Sequence, residues 1–102
     1  MFKGLIEKMQ GAQGEIKEKL ERILLDGQSE GGKVKVVVNG NSIVKQIFID
    51  EEFAKTAEKE ELEDLILVAT NKALEKAKNV FETEMASAAK DMLPGGGIPG
   101  LF

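Results

Sequence analysis

The sequence predicts an α+β domain: a long N-terminal helix, a three-stranded antiparallel sheet, a long C-terminal helix (intact or broken) and a flexible Gly/Pro tail. Three observations predict it. Apolar residues recur at helical spacing from about Phe2 to Leu25 and again from about Glu58 to Lys90. Between these stretches β-branched residues take over around an Asn39-Gly40 step. From Leu93 to Phe102 the chain is too rich in Gly and Pro to continue a helix. One domain over 1–92 and a tail over 93–102 follow.

The first helix places Leu5, Met9, Ala12, Ile16, Leu20 and Ile23 at steps of three or four residues, a stripe of coiled-coil type widened by Ile6 and Leu24. Gly11 and Gly14 each cost about 1 kcal/mol relative to Ala, which predicts fraying in its N-terminal half.

The period changes after Leu25. Asp26 to Glu30 reads as strand or loop, and Gly31-Gly32 as a turn. Lys33 to Val38 reads as a strand, and Asn39-Gly40 as a hairpin signal, because both residues tolerate the positive φ of a type I′ turn. Ile43 to Ile49 returns. Strict alternation puts Ile43, Lys45, Ile47 and Ile49 on one face and Val44, Gln46 and Phe48 on the other. Both faces carry apolar residues, so both are expected to be partly covered. A lone hairpin is marginal in water, so a third strand is expected near residues 24–30.

Asp50-Glu51-Glu52-Phe53 opens an acidic connector. The second helix then gathers carboxylates in its first turns, where the helix dipole favours them. Its apolar positions are Leu62, Leu65, Ile66, Ala69, Ala73, Ala77, Val80, Phe81 and Met85, and the alanines permit close approach of a neighbour. Two stripes this long exceed what a compact chain of 102 residues covers by itself. A symmetric dimer is therefore expected, with Leu5, Met9, Ile16, Leu20, Ile47, Phe48, Leu62, Ile66, Ala69, Ala73 and Phe81 in the core or at the dimer contact.

Composition narrows the function. Hydrophobic residues at 42% and charged residues at 31% fit a folded chain. With no Cys there is neither a disulfide framework nor a thiolate metal site. No apolar run approaches the roughly 20 residues that span a bilayer, and the N-terminus lacks a signal-peptide core. A cytoplasmic protein without membrane contact is expected.

Catalysis is disfavoured. The chain has no His, Cys or Tyr, and Ser29, Ser42 and Ser87 have no base of the usual kind. The carboxylates Glu60, Glu61, Glu63 and Asp64 point in different directions on a helix, so they read as a solvated first turn rather than a metal site. Gly95-Gly96-Gly97 has neither the preceding strand nor the following Lys-Ser/Thr of a phosphate loop. No enzyme activity, metal or cofactor is expected.

At Glu61-Leu62-Glu63-Asp64-Leu65-Ile66-Leu67-Val68-Ala69-Thr70-Asn71-Lys72-Ala73-Leu74 the chain resembles the YbaB/EbfC family of small bacterial nucleoid-associated DNA-binding proteins. Met9-Gln10, the Gly31-Gly32, Val34-Lys35-Val36 and Asn39-Gly40 segments, and Ile98-Pro99-Gly100-Leu101-Phe102 agree in order. The resemblance implies an α-β-β-β-α order with a further short helix near the C-terminus. It also implies an intertwined homodimer whose helices project like tweezers, and a role in binding double-stranded DNA, altering its conformation and organising the nucleoid.

DNA contact then falls to the lysines and the single Arg. At about 100° per residue, Lys8, Lys19 and Arg22 share one flank of the first helix, with Lys3 and Lys17 on the other side. Lys72 and Lys76 face one way on the second helix, and Lys78 and Lys90 lie elsewhere along it. A single Arg and no aromatic besides Phe leave few candidates for base readout, so backbone contact with little sequence preference is expected.

The net charge of −4 pulls against DNA, but residues 51–64 hold seven carboxylates against two Lys and account for most of it. That acidic connector, with the apolar Ile98-to-Phe102 end, also motivates another reading: a dimeric adaptor that binds a protein rather than DNA.

Overall fold

A computed structural model of the chain describes residues 14–91. Helix α1 occupies 14–22 of that range. It is followed by β1 (Leu24–Ser29), a 3₁₀ turn (Glu30–Gly32), β2 (Val34–Asn39), β3 (Val44–Ile49), α2 (Glu51–Thr56) and α3 (Lys59–Asp91). Lys3, Leu5, Lys8, Met9, the tail over 93–102 and the further C-terminal helix implied by the resemblance lie outside the described residues.

The sheet is antiparallel, in the order β1-β2-β3. The third strand expected near residues 24–30 is therefore present, and it shortens the first helix. Leu24 and Leu25, which fit the helical stripe, instead pair with Asn39 and Val38. The turn after β2 takes up the carbonyls at the end of α1. Gly40 N–H donates to the carbonyls of Leu20 and Ile23 at 2.8 and 3.0 Å, and Asn41 Nδ2 donates to Lys17 O at 2.9 Å. A helix end leaves such acceptors open, so the hairpin turn serves as its cap. Leu20 is fully buried where this turn crosses.

The expected type I′ conformation at Asn39-Gly40 is not what forms. Asn39 belongs to β2, Gly40 has no positive φ, and the left-handed residue is Ser42 at φ 64°. The loop is the three residues Gly40-Asn41-Ser42, closed by Asn39 N–H to Ile43 O at 2.9 Å and Ser42 N–H to Asn39 O at 3.0 Å. Asn39 dictates this, because its buried Oδ1 accepts from the N–H groups of Asn41 and Ile43 at 2.9 and 3.1 Å. An Asn side chain bonded to the backbone beyond it favours the longer turn.

The register of β3 also departs from strict alternation. Val37 pairs with Gln46 but Val38 pairs with Val44, so Lys45 is the extra residue of a bulge. Val44 thereby joins Ile47 and Ile49 on one face, opposite to the expected grouping.

The acidic connector is itself partly helical. Asp50 caps α2, its Oδ2 accepting from Phe53 N–H at 3.0 Å.

Helix α3 runs for 33 residues without a break across β1 and β2. Ala69, Ala73 and Ala77 are fully buried on Val34, Val36 and Val38, with Leu25, Phe53, Leu62, Leu65, Ile66 and Leu74 half-buried around them. Burying a Val side chain is worth roughly 1.5–3 kcal/mol, so this alternating Val row anchors the fold. The C-terminal part of α3 runs beyond the sheet beside α1, where Lys19 and Glu84 form a 2.9 Å ion pair. Among the described residues no helix is long and apolar enough to cross a membrane.

Candidate nucleic-acid interface

The cations expected to meet DNA and lying among the described residues do not form one strip; they divide among four places. Lys17, Lys19 and Arg22 are exposed on α1. Lys19 is spent on Glu84, while Lys17 and Arg22 make no ion pair among the described residues. Lys72 and Lys76 do share a flank of α3, and it faces β1. Lys72 Nζ donates to Gln28 O at 3.1 Å, and Lys76 Nζ lies 3.9 Å from Asp26 Oδ1. Lys78 projects from the opposite flank, and with Gly40, Asn41, Ser42 and Phe81 it lines a shallow cavity of about 300 Å³. Lys90 sits in the last described turn of α3.

Asp26 feels this placement. The hydrogen bond from Gln28 Nε2, 2.7 Å from its Oδ2, holds its carboxyl below the usual carboxylate range, and the charges of Lys76 and Lys35 add to that.

Three further cations, Lys33, Lys35 and Lys45, were not singled out by the sequence reading. Lys35 lies on the sheet face away from α3, its Nζ 4.7 Å from the ring centroid of Phe48, and Lys33 Nζ lies 5.3 Å from that of Phe53. The signal was legible, since Lys33 and Lys35 alternate with Val34, Val36 and Val38. If the valines face a helix, the lysines face away from it.

Charge is sorted along the molecule. Where β3 ends, α2 and the first turns of α3 gather Asp50, Glu51, Glu52, Glu58, Glu60, Glu61, Glu63 and Asp64 against only Lys55 and Lys59. Both of these lysines already face carboxylates of their own helix. Phosphate contact is unfavourable there. The opposite end carries α1, the Gly40-Asn41-Ser42 turn and Lys78, and there cations and carboxylates interleave.

Of the residues expected in the core or at a dimer contact, Leu20, Ala69 and Ala73 are fully buried. Ile16, Leu62 and Ile66 are half-buried. Ile47, Phe48 and Phe81 are exposed at 51, 44 and 45%. In the chain by itself about half of each of these three residues is left uncovered.

Comparison with known proteins bears on the chain as a whole. A nucleoid-associated protein of Flavobacterium johnsoniae is 38% identical over 101 residues, covering 96% of this chain and 92% of its own. A nucleoid-associated protein of Dictyoglomus thermophilum is 39% identical over 98 residues, covering 95% and 90%. The crystal structure of an uncharacterized protein from Helicobacter pylori superposes with a TM-score of 0.65 over 80% of this chain and 94% of that one; at 22% identity it shares the fold. The profile of the YbaB/EbfC DNA-binding family matches residues 1–92, and the chain belongs to that family.

Proposed function

We propose that this chain is a nucleoid-associated protein that binds double-stranded DNA as a homodimer, through the phosphate backbone and with little sequence preference. In doing so it alters the conformation of the duplex and performs no chemistry of its own. Family membership over residues 1–92 is the observation that carries this reading. Two nucleoid-associated relatives more than a third identical over nearly the whole chain support it, and with it a location at the nucleoid in the cytoplasm.

The geometry bears on which cations take part. DNA approaches the end distant from α2, because the acidic cluster repels phosphate. Lys17 and Arg22, exposed on α1 and without ion pairs among the described residues, are the leading contacts there. Lys90 follows in the last described turn of α3, and Lys3 and Lys8 precede them in the sequence. Lys72 and Lys76 contribute less, because the edge of β1 holds them. A dimer presents each cation twice, so modest contacts on one chain sum to a clamp.

The test compares duplex affinity of the wild type, Lys17→Glu/Arg22→Glu and Lys72→Glu/Lys76→Glu by fluorescence anisotropy. The α1 pair is expected to weaken binding and to lower the salt slope by about 0.9 for each phosphate no longer neutralised. The β1-edge pair is expected to change both much less. Equal effects from the two pairs would overturn the site assignment, and a wild type that binds no duplex at low salt would overturn the function.

A further inference from the structure

Among the ion pairs of the described residues, the one between Lys19 and Glu84 is the tightest. Lys19 Nζ lies 2.9 Å from Glu84 Oε2, whereas the other pairs span 3.6 to 3.9 Å. It ties α1 to the part of α3 that runs beyond the sheet. The sequence offers Lys19 a nearer carboxylate. Glu15 sits one turn earlier on α1, in the order that favours an i,i+4 pair, yet the ammonium goes to Glu84, 65 residues away in the chain.

The two partners are held unequally. The Lys19 side chain is 60% exposed, so an anion in solvent has access to it, but that of Glu84 is only 22% exposed. Departure of Lys19 would leave a largely covered carboxylate without the cation that offsets its lost hydration, so the pair holds. The same flank of α1 is otherwise open to phosphate. Arg22 lies three residues after Lys19, and neither Arg22 nor Lys17 makes an ion pair among the described residues. A phosphate that reaches Arg22 is within one turn of Lys19 and finds a carboxylate already in its place.

We propose that Glu84 is an intramolecular competitor of the DNA backbone: it holds Lys19 where a phosphate oxygen would otherwise bind, and so keeps duplex affinity below what the cations of α1 provide by themselves. The inference rests on the functional reading above, that the chain binds duplex through its phosphates. A carboxylate oxygen at 2.9 Å gives an ammonium the same kind of charge-assisted contact as a phosphate oxygen. Each α1 thereby forgoes one phosphate contact and the counterion release that accompanies it. The effect belongs to the contact rather than to charge in general. Glu82, two residues earlier on α3, is exposed, carries the same charge and has no ion pair among the described residues.

The test is duplex affinity of the full chain by fluorescence anisotropy across a salt series, with far-UV circular dichroism as the check on folding. Glu84→Gln keeps the shape of the side chain and removes its charge. It is expected to tighten binding roughly fivefold at low salt, and to steepen the fall of log affinity with log salt by about 0.9 for each Lys19 released. Glu82→Gln removes a charge that salt screens, and is expected to change affinity by less than about twofold with the slope unaltered. Lys19→Gln is expected to change little in the wild type but to cancel the gain of Glu84→Gln, a pattern that a purely structural pair does not give. A wild type that binds duplex while Glu84→Gln neither tightens nor steepens the binding overturns the competitor and leaves the DNA reading standing. An equal gain from Glu82→Gln does the same, as does a loss on Lys19→Gln as large in the wild type as in the Glu84→Gln background. Absence of duplex binding by both the wild type and Glu84→Gln at the lowest salt overturns both.

Discussion

Gly27 of β1 touches the backbone of α3 at Ala69. A side chain at this position would collide with Ala69 O, and its Cβ would lie 2.5 Å from Ala73 N and 2.9 Å from Lys72 Cβ. The closeness of helix and sheet, and with it the burial of the alanines, is set by this contact. Gly27→Ala must therefore push α3 off the sheet, because backbone cannot step aside as a side chain can. It is expected to cost about 3 kcal/mol, at the upper end of overpacking effects. Urea unfolding followed by circular dichroism measures it, and a change under about 0.5 kcal/mol, the range of an ordinary surface substitution, would contradict this packing.

The Gly40-Asn41-Ser42 loop makes a paired prediction. Ser42 holds a left-handed conformation that costs a residue with a Cβ roughly 1–2 kcal/mol and costs Gly little. After the larger backbone entropy of Gly, Ser42→Gly is expected to be stabilising by about 0.5 kcal/mol. Asn39→Ala should go the other way by about 2 kcal/mol, since two backbone N–H groups are left without their acceptor beside a buried position. The two midpoints from urea unfolding should move in opposite directions; a shift in the same direction would mean that the turn has another geometry.

Asp26 gives the pH prediction. Its carboxyl is held below its ordinary value by Gln28, with help from Lys76 and Lys35. A group depressed in the folded state stabilises above its unfolded pKa, about 3.9 for Asp, and that contribution fades as pH falls through the folded value. Stability should thus decline below about pH 4, and Asp26→Asn should lower the plateau near neutrality and flatten that limb, because the variant lacks the contribution that the wild type loses in acid. Thermal unfolding across about pH 2.5 to 7, a range set around the ordinary Asp value, checks this. An unaltered acid limb in the variant would contradict it.

The ion pair of Lys19 with Glu84 should matter little to stability. Lys19 is largely exposed, and exposed pairs contribute about 0.2–1 kcal/mol. A double-mutant cycle with Lys19→Ala and Glu84→Ala should return a coupling in that range, weaker at high salt. A coupling above about 2 kcal/mol would show that this pair locks α1 to α3.

Much of the fold was legible in the residues. Val34, Val36 and Val38 announce a strand with one buried face, and Ala69, Ala73 and Ala77 a helix face that packs closely. Ambiguity remained where one residue satisfies two periods. Leu24 and Leu25 extend a helical stripe equally well, and only pairing with Val38 and Asn39 assigns them to β1. Asn39-Gly40 carries the hairpin signal, yet the side chain of Asn39 selects a longer loop. The bulge at Lys45 carries Val44 to the other face, and no local pattern marks it.

The candidate site was less legible, because the state of a Lys depends on distant partners. Glu84 is 65 residues from Lys19, and Gln28 is 44 residues from Lys72. Helical spacing correctly grouped Lys72 with Lys76 but could not show that their flank faces β1. The exposure of Ile47, Phe81 and Leu67 follows from where α3 stops across the sheet, which is a property of the assembled layers.

Duplex binding through phosphates, the central claim, is tested most directly by anisotropy of a labelled duplex titrated with the wild-type chain from about 20 to 200 mM salt, the range in which counterion release is visible. Binding at low salt is predicted, with log affinity falling linearly in log salt and a similar affinity for duplexes of unrelated sequence. Absence of binding at the lowest salt would contradict the claim, as would an affinity indifferent to salt.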